Sequence, residues 1–301
     1  MKHLEASVRH DFVLFFDVLD GNPNGDPDAG NLPRVDPETG QGLVTDVALK
    51  RKVRNYVDEL KGSDERYKIY VQQGAILNNQ HTRAYTALDI KSKSKEESPG
   101  VRKWMCENFF DIRAFGAVMS TEVNCGQVRG PVQLTFARSI DRILPLDAAI
   151  TRVALTKADE KNTVQNDNNE DGTDGGVRAK SGTIGRKAFI PYGLYRAHGY
   201  YVPSYAKDTG FNNEDLETLW NSLQNMWDLD RSASRGTTAC RGLYVFSHDS
   251  SLGNSPSHKL FGRININPLE DKVARKFEDY TLTIDEQNLP AGVTLTKLLE
   301  G

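Results

Sequence analysis

FVLFFDVL, residues 12–19, is the stretch whose reading decides the fold: apolar, β-branched and aromatic side chains run on and stop abruptly at GNPNGDPDAGN (21–31). No helix continues through that density of Gly and Pro, so the run predicts a buried first strand followed by a loop. Beyond the loop, Leu49, Val53, Tyr56, Val57 and Leu60 recur at helical spacing, with Thr45 available as N-cap and Asp46 in the first turn. A helix from Thr45 to about Leu60 is predicted.

Further along, KIYVQQGAIL (68–77) reads as a strand, and the polar KSKSKEESPG (91–100) as an exposed turn of an insertion. Residues 101–110 read as a short helix. DIRAFGAVM and VRGPVQLTFARSI read as a central hairpin turning at Gly126–Gly130. The segment 157–182 has Val164 and Val177 as its only large aliphatic residues and no aromatic, too little apolar surface to order itself. KAFIPYGLYRAHGYYVP reads as a strand. A second amphipathic helix is capped near Asn212 or Asn213, with Leu216, Leu219, Trp220, Leu223, Met226 and Trp227 on one face. Strands at CRGLYVFSH, HKLFGRININ and YTLTID finish the pattern.

In order, the core reads strand, helix, a pair of central strands, helix, strand. That is the split β-α-β arrangement of a modified RRM or ferredoxin-like α+β fold. We read residues 1–301 as one such domain carrying large insertions at about 20–44, 78–100 and 157–182. At 301 residues, 38% hydrophobic and 26% charged, the chain has ample material for a core. Its three cysteines, Cys106, Cys125 and Cys240, suit neither a disulfide framework nor a zinc site. No leader-like apolar segment opens the chain, and no run reaches the roughly 18 apolar residues of a membrane span, so a cytoplasmic protein without a membrane partner is expected.

Enzyme signatures are absent: no HExxH, GxSxG, P-loop or GxGxxG is present. Asp20, Asn22, Asn24 and Gly25 match half of a calcium loop, but Asn31 stands where the bidentate Glu belongs. No metal and no cofactor are expected. The formal charge of −3 argues for no particular partner until it is read along the chain. Residues 1–46 hold nine acidic side chains, after which Lys50, Arg51, Lys52 and Arg54 crowd one turn of helix. Lys50 and Arg54, at i and i+4, repel unless an anion sits between them. Acidic residues 159–174 likewise precede Arg178, Lys180, Arg186 and Lys187, and acidic residues 208–230 precede Arg231, Arg235 and Arg241. The last two clusters are Gly- and Ser-rich, which lets backbone N–H groups approach phosphate oxygens. Tyr192, Tyr195, Tyr200, Tyr201 and Tyr205 follow the second cluster and are read mainly as core.

FFDVLDGNPNGDPDAGNLPRVDPETGQGLVTDVALKRKVRNYV, DIRAFGAVM, GPVQLTFARSID, RKAFIPYGLYRAHG and RSASRGTTACRGLYVFSH together resemble the backbone subunit of type I CRISPR surveillance complexes, most closely the I-C form. The likeness covers most of the chain, and NPNGDPD followed by GLVTDVALKRKVR is its most specific part. It implies a hand-like RRM fold with palm, fingers and thumb, a member of the RAMP superfamily. Copies would polymerise head-to-tail along CRISPR RNA and display its spacer to a target DNA strand. The crRNA-processing cap subunit and the large subunit of the complex would be further partners. It also implies that Leu49, Lys50, Lys52 and Arg54 form the L-K-x-K-x-R pattern that contacts guide phosphates; the assignment of 157–182 to the thumb or another RNA-gripping arm is our own, because low-complexity loops do not align. The rival reading is a metal-dependent endonuclease acting on guide-paired RNA through Asp26, Asp28 or Asp36. None of these aspartates matches the catalytic aspartate of RNA-targeting relatives residue by residue, and carboxylates in a Gly/Pro loop are commonly turn formers.

Overall fold

The computed structural model describes residues 1–91, 98–151, 184–270 and 272–301. The first half comprises β1 (His10–Gly21), β2 (Gly25–Asp26), β3 (Leu32–Pro33), β4 (Gln41–Val44), α1 (Asp46–Lys61), α2 (Leu77–Ala87), α3 (Val101–Asn108), α4 (Phe110–Phe115), β5 (Gly116–Ser120), β6 (Asn124–Arg129), β7 (Val132–Leu134) and β8 (Ala137–Arg142). Then come β9 (Leu146–Thr151), β10 (Ile184–Tyr201), α5 (Pro203–Thr209), α6 (Asn213–Leu229), β11 (Thr237–His248), α7 (Ser257–Phe261), β12 (Ile264–Pro268), β13 (Tyr280–Ile284) and β14 (Val293–Glu300).

The apolar run of β1 lies at the centre of an antiparallel sheet ordered β14-β11-β1-β10-β8-β4. Within it, β11-β1-β10-β8 is the strand order of a ferredoxin-like core, with α1 and α6 as the two crossover helices. The α+β expectation holds. Uninterrupted hydrophobicity in β1 follows from burial on both faces, since Phe12, Leu14 and Phe16 enter one core and Val13 and Phe15 the other. Phe12 stands opposite Gly199 in β10, where a Cβ would collide with the Phe12 ring, so only glycine lets that ring lie across the strand.

The first core holds α1 and α6 on one sheet face. Leu49, Val53 and Val57 meet Leu216, Leu219, Trp220, Leu223, Met226 and Trp227 there, while the predicted Leu60 is 52% exposed. Thr45 caps α1 through Ala48 N, and Asn212 with Asp215 forms a reciprocal capping box on α6. The second core lies on the opposite face, under α7 and the β12–β13 hairpin. A third gathers residues between Tyr70 and Val128 from α2, α3, α4 and the β5–β6 hairpin.

Several local readings change. KIYVQQGAIL is not a strand, because Tyr70 N and Val71 N donate to the Asp111 carboxylate (2.8 and 3.1 Å) in place of a neighbouring strand. DIRAF is helical: all six residues of α4 are buried, Asp111 and Arg113 included, and a segment this short shows too little periodicity to separate helix from strand. GAVM pairs with β6 in its own two-stranded sheet, so the central strand pair is β8 with β10. HKLF is α7, and the sheet-edge strand β14 has no counterpart in the sequence reading. Residues 157–182, including Arg178 and Lys180, lie outside the described residues. Among the described residues no helix is long and apolar enough to cross a membrane.

Candidate nucleic-acid interface

Antiparallel register brings the charged clusters to one end of the sheet. β1 ends at Gly21, which is paired with Ile190 of β10, and β11 begins at Thr237, opposite Leu19. From that end emerge the loop of residues 22–44, the β9–β10 hairpin beyond Ile190, and the 230–236 loop. The first and third of these segments are tied together. Asn22 N donates to Ser234 O (2.7 Å), and Arg235 Nη1 reaches the carbonyls of Asn22 and Pro23 (3.4 and 3.2 Å). A Cβ on Gly21 would collide with the Arg235 carbonyl, which is why a glycine ends the strand.

The NPNG segment positions the helix. Asn24 Oδ1 accepts from Thr45 N (3.0 Å), and Asn22 Nδ2 donates to Asn31 O (2.7 Å). Of the side chains that suggested half a calcium loop, Asn24 therefore braces the start of α1 and Asn22 the loop itself. Among the described residues no cluster of His, Cys, Asp or Glu is arranged to hold a metal ion.

On α1, each predicted contact residue has a partner in the chain itself. Lys50 Nζ lies 2.9 Å from Asp46 Oδ2, and Arg54 Nε lies 2.7 Å from Asp111 Oδ2. The two like charges are thus separated by their own counterions. The Phe115 ring lies beneath both cations, 5.6 Å from Lys50 and 5.4 Å from Arg54. Arg54 bonds through Nε, so its Nη groups carry no hydrogen bond among the described residues and remain for an incoming oxygen. Arg51 turns toward the 70–71 segment, donating to Val71 O (2.6 Å).

Lys52 points inward. It is 4% exposed, bonds Asp230 and lies 5.8 Å from the Trp227 ring centre. Burial, helped by the nearby Arg235 charge, pulls its ammonium down to about 7. The Asp230 contact favours the charged form, so removal from water is what sets the direction. Arg235 shares Asp230 at 3.3 Å, joining the first and third basic clusters through one carboxylate. Arg231, 51% exposed, pairs with Asp228 at 2.6 Å.

The second cluster stands apart on the hairpin. Arg186 is 82% exposed, 3.5 Å from Asp147, and Lys187 is half-buried beside it on β10. Of the aspartates considered for catalysis, Asp26 caps a 3-10 turn through Asp28 N, and Asp36 accepts from Glu38 N and Thr39 N. The Arg138 guanidinium, 2.8 Å away, holds the Asp36 carboxyl below its usual range. Tyr192, Tyr195 and Tyr201 are buried, as core residues should be.

Sequence reasoning missed Phe115, Arg138 and the anchoring roles of Asn22 and Asn24. Only a pairing of distant segments reveals the first two. The Asn-Pro-Asn spacing was visible, but its meaning depended on the position of Thr45.

A family model described as CRISPR-associated protein Cas7 matches residues 8–285. A CRISPR-associated protein Cas7 from Haloferax volcanii is 26% identical over 242 residues, 72% of this chain and 64% of that protein. The chain therefore spans less than two thirds of that relative's length. A chain of a solved structure titled CRISPR RNA-guided surveillance complex, pre-nicking, overlaps with a TM-score of 0.48 at 11% identity, over 79% of this chain and 78% of the other. A chain of a second CRISPR RNA-guided surveillance complex gives 0.44 at 13%, over 79% and 68%.

Proposed function

The chain belongs to the Cas7 family of CRISPR-associated proteins, and on that premise we propose that it is a non-catalytic backbone subunit of a type I-C surveillance complex. It grips the phosphate backbone of CRISPR RNA and holds the spacer open to a target DNA strand. The observation that carries this reading is that Asp230 joins Lys52 of α1 to Arg235 at the end of the sheet from which the β9–β10 hairpin, with Arg186 and Lys187, projects, with Lys50, Arg51 and Arg54 on the same helix. Arg178 and Lys180 extend the same cluster in sequence. Lys52, behind this surface, tethers α1 to the 230–236 loop.

A subunit that serves any spacer has to hold phosphate and ribose and leave base edges free, delegating sequence choice to pairing. The Nη groups of Arg54 suit an oxygen, and no base-reading pocket is needed at this end. Copies assemble head-to-tail along the guide, acidic surface against basic, a contact that repeats without closing. A crRNA-processing cap subunit and a large subunit complete the particle in the cytoplasm. Asp26 and Asp36, engaged as turn and ion-pair partners, favour binding over metal-assisted cleavage.

Co-expression with guide RNAs of two lengths tests the proposal. A nucleic-acid-rich size-exclusion peak whose mass grows with guide length is expected. A protein peak free of RNA would overturn it, and regular cuts in complementary RNA with Mg²⁺ would favour the endonuclease.

A further inference from the structure

Across the sheet from α1, strands β8 and β10 and the β12–β13 hairpin enclose a cleft of about 660 Å³. That lies within the roughly 300–1,000 Å³ of small-ligand sites. Alternation along β10 sends Tyr195 and Ala197 into the first core, while Leu194 enters the second and Arg196 and His198 line the cleft. Arg196 stands six residues along the strand from Ile190, about 20 Å from the end where the basic clusters converge.

Arg196 is half-buried and gives one N–H to the Ile264 carbonyl at 3.3 Å. Among the described residues it makes no ion pair. A guanidinium taken partly out of water with no carboxylate beside it is costly until an anion arrives. His198 lies flat on Phe261, ring centres 4.3 Å apart at 10°. Burial and the Arg196 charge pull it down to about 4, leaving an uncharged imidazole with one donor and one acceptor at neutral pH. Neither ring nitrogen bonds another group among the described residues. At the mouth stand Phe136, 52% exposed, together with Arg138 and the carboxamides of Gln41 and Asn267. The Gln41 amide nitrogen is taken by Ser139 O (2.9 Å), so its oxygen remains as an acceptor.

These groups divide into a cation recessed in the cleft, an exposed ring at its entrance, and neutral donors and acceptors between. Phosphate, base and ribose present the complementary set at the same scale. An acidic peptide would satisfy Arg196 but has no use for Phe136 and the amides together. We propose that this cleft holds one nucleotide of a single strand, its phosphate on Arg196 and its base on Phe136, as a contact separate from the α1 end. This goes beyond the guide grip proposed above and does not depend on it.

The test irradiates the full chain with a 4-thiouridine tetranucleotide and maps the adducts by mass spectrometry. Adducts are expected within residues 135–140, reduced about tenfold in Arg196→Gln and in Phe136→Ala and retained in Lys50→Ala/Arg54→Ala. Phe136 is exposed, so its variant keeps the test sound if Arg196→Gln unfolds. Absence of adducts at 135–140 in the wild-type chain, or adducts unchanged in both cleft variants, would overturn the proposal. So would loss of self-association in place of loss of adducts, which would make the cleft a protein contact. Failure of the guide-grip reading looks different, since it removes adducts from residues 46–61 alone.

Discussion

Arg54 and Asp111 meet at 2.7 Å across 57 residues of sequence, and Asp111 also accepts the backbone N–H groups of Tyr70 and Val71. The carboxylate thereby fixes the guanidinium over Phe115 and satisfies the two backbone N–H groups that a neighbouring strand would otherwise take.

That double duty separates structural from RNA-binding loss. Asp111→Ala strands a buried guanidinium and two N–H donors, so about 3 kcal/mol or more of stability should disappear in a urea titration. Lys50→Ala/Arg54→Ala should weaken unrelated guides equally and flatten the log Kd against log salt slope by about 1.4, the value for two phosphates on a single strand. Loss that varies among guides would instead indicate base readout.

Arg113 and Asp215 form a forked pair, 2.7 and 2.9 Å, both fully buried, joining α4 to the start of α6. Arg113→Met alone should cost about 3 kcal/mol, the lower end for a broken buried pair, because Arg66 at 2.8 Å still partners Asp215. Arg113→Met/Asp215→Leu should cost less than the sum of the two single changes, read from denaturation midpoints. Additive losses would mean that the two side chains act independently.

Lys52 carries a pH signature. Its folded pKa, near 7, lies below the 10.5 of an unfolded lysine, so the unfolded chain binds more protons between those values. The stabilisation is full above 10.5 and is lost as pH falls toward 7. In Lys52→Met that slope should vanish, and the variant should gain on the wild-type chain as pH drops from 10 to 7. Parallel melting-temperature profiles for the two would contradict this.

His10 acts in the acid range. It is fully buried, with Nδ1 at Ser247 Oγ (2.9 Å) and Nε2 at the Glu5 carbonyl (3.0 Å), while His248, His3 and Asp11 also face it. Burial pulls it down to about 4, so its contribution is intact above 6.5 and lost as pH falls through 4. Between pH 7 and 4 the wild-type chain should lose roughly 3 kcal/mol more than His10→Gln, compared by urea midpoints. Equal losses would place the acid sensitivity elsewhere.

The long elements were legible because their signals are local. β1, α1, β10, α6 and β11 each show enough uninterrupted or periodic apolar sequence to declare their type, and segregated charge marked the basic clusters. Short buried segments were not. DIRAF and HKLF span less than two turns and mix charged with apolar residues, and the N–H groups of Tyr70 and Val71 are satisfied by a carboxylate about 40 residues away.

What the amino-acid order determined by itself was the alternation of strand and helix, and with it the ferredoxin-like core and the positions of the cations. Tertiary structure alone decided what each cation faces. Lys52 reaches Asp230 from 178 residues away, and Arg54 reaches Asp111, only because β10 and β11 close antiparallel around β1. Periodicity is set by neighbours in the chain, whereas burial and counterion choice are set by neighbours in space. Only the latter separate Arg54, whose Nη groups carry no hydrogen bond among the described residues, from a lysine held by Asp230.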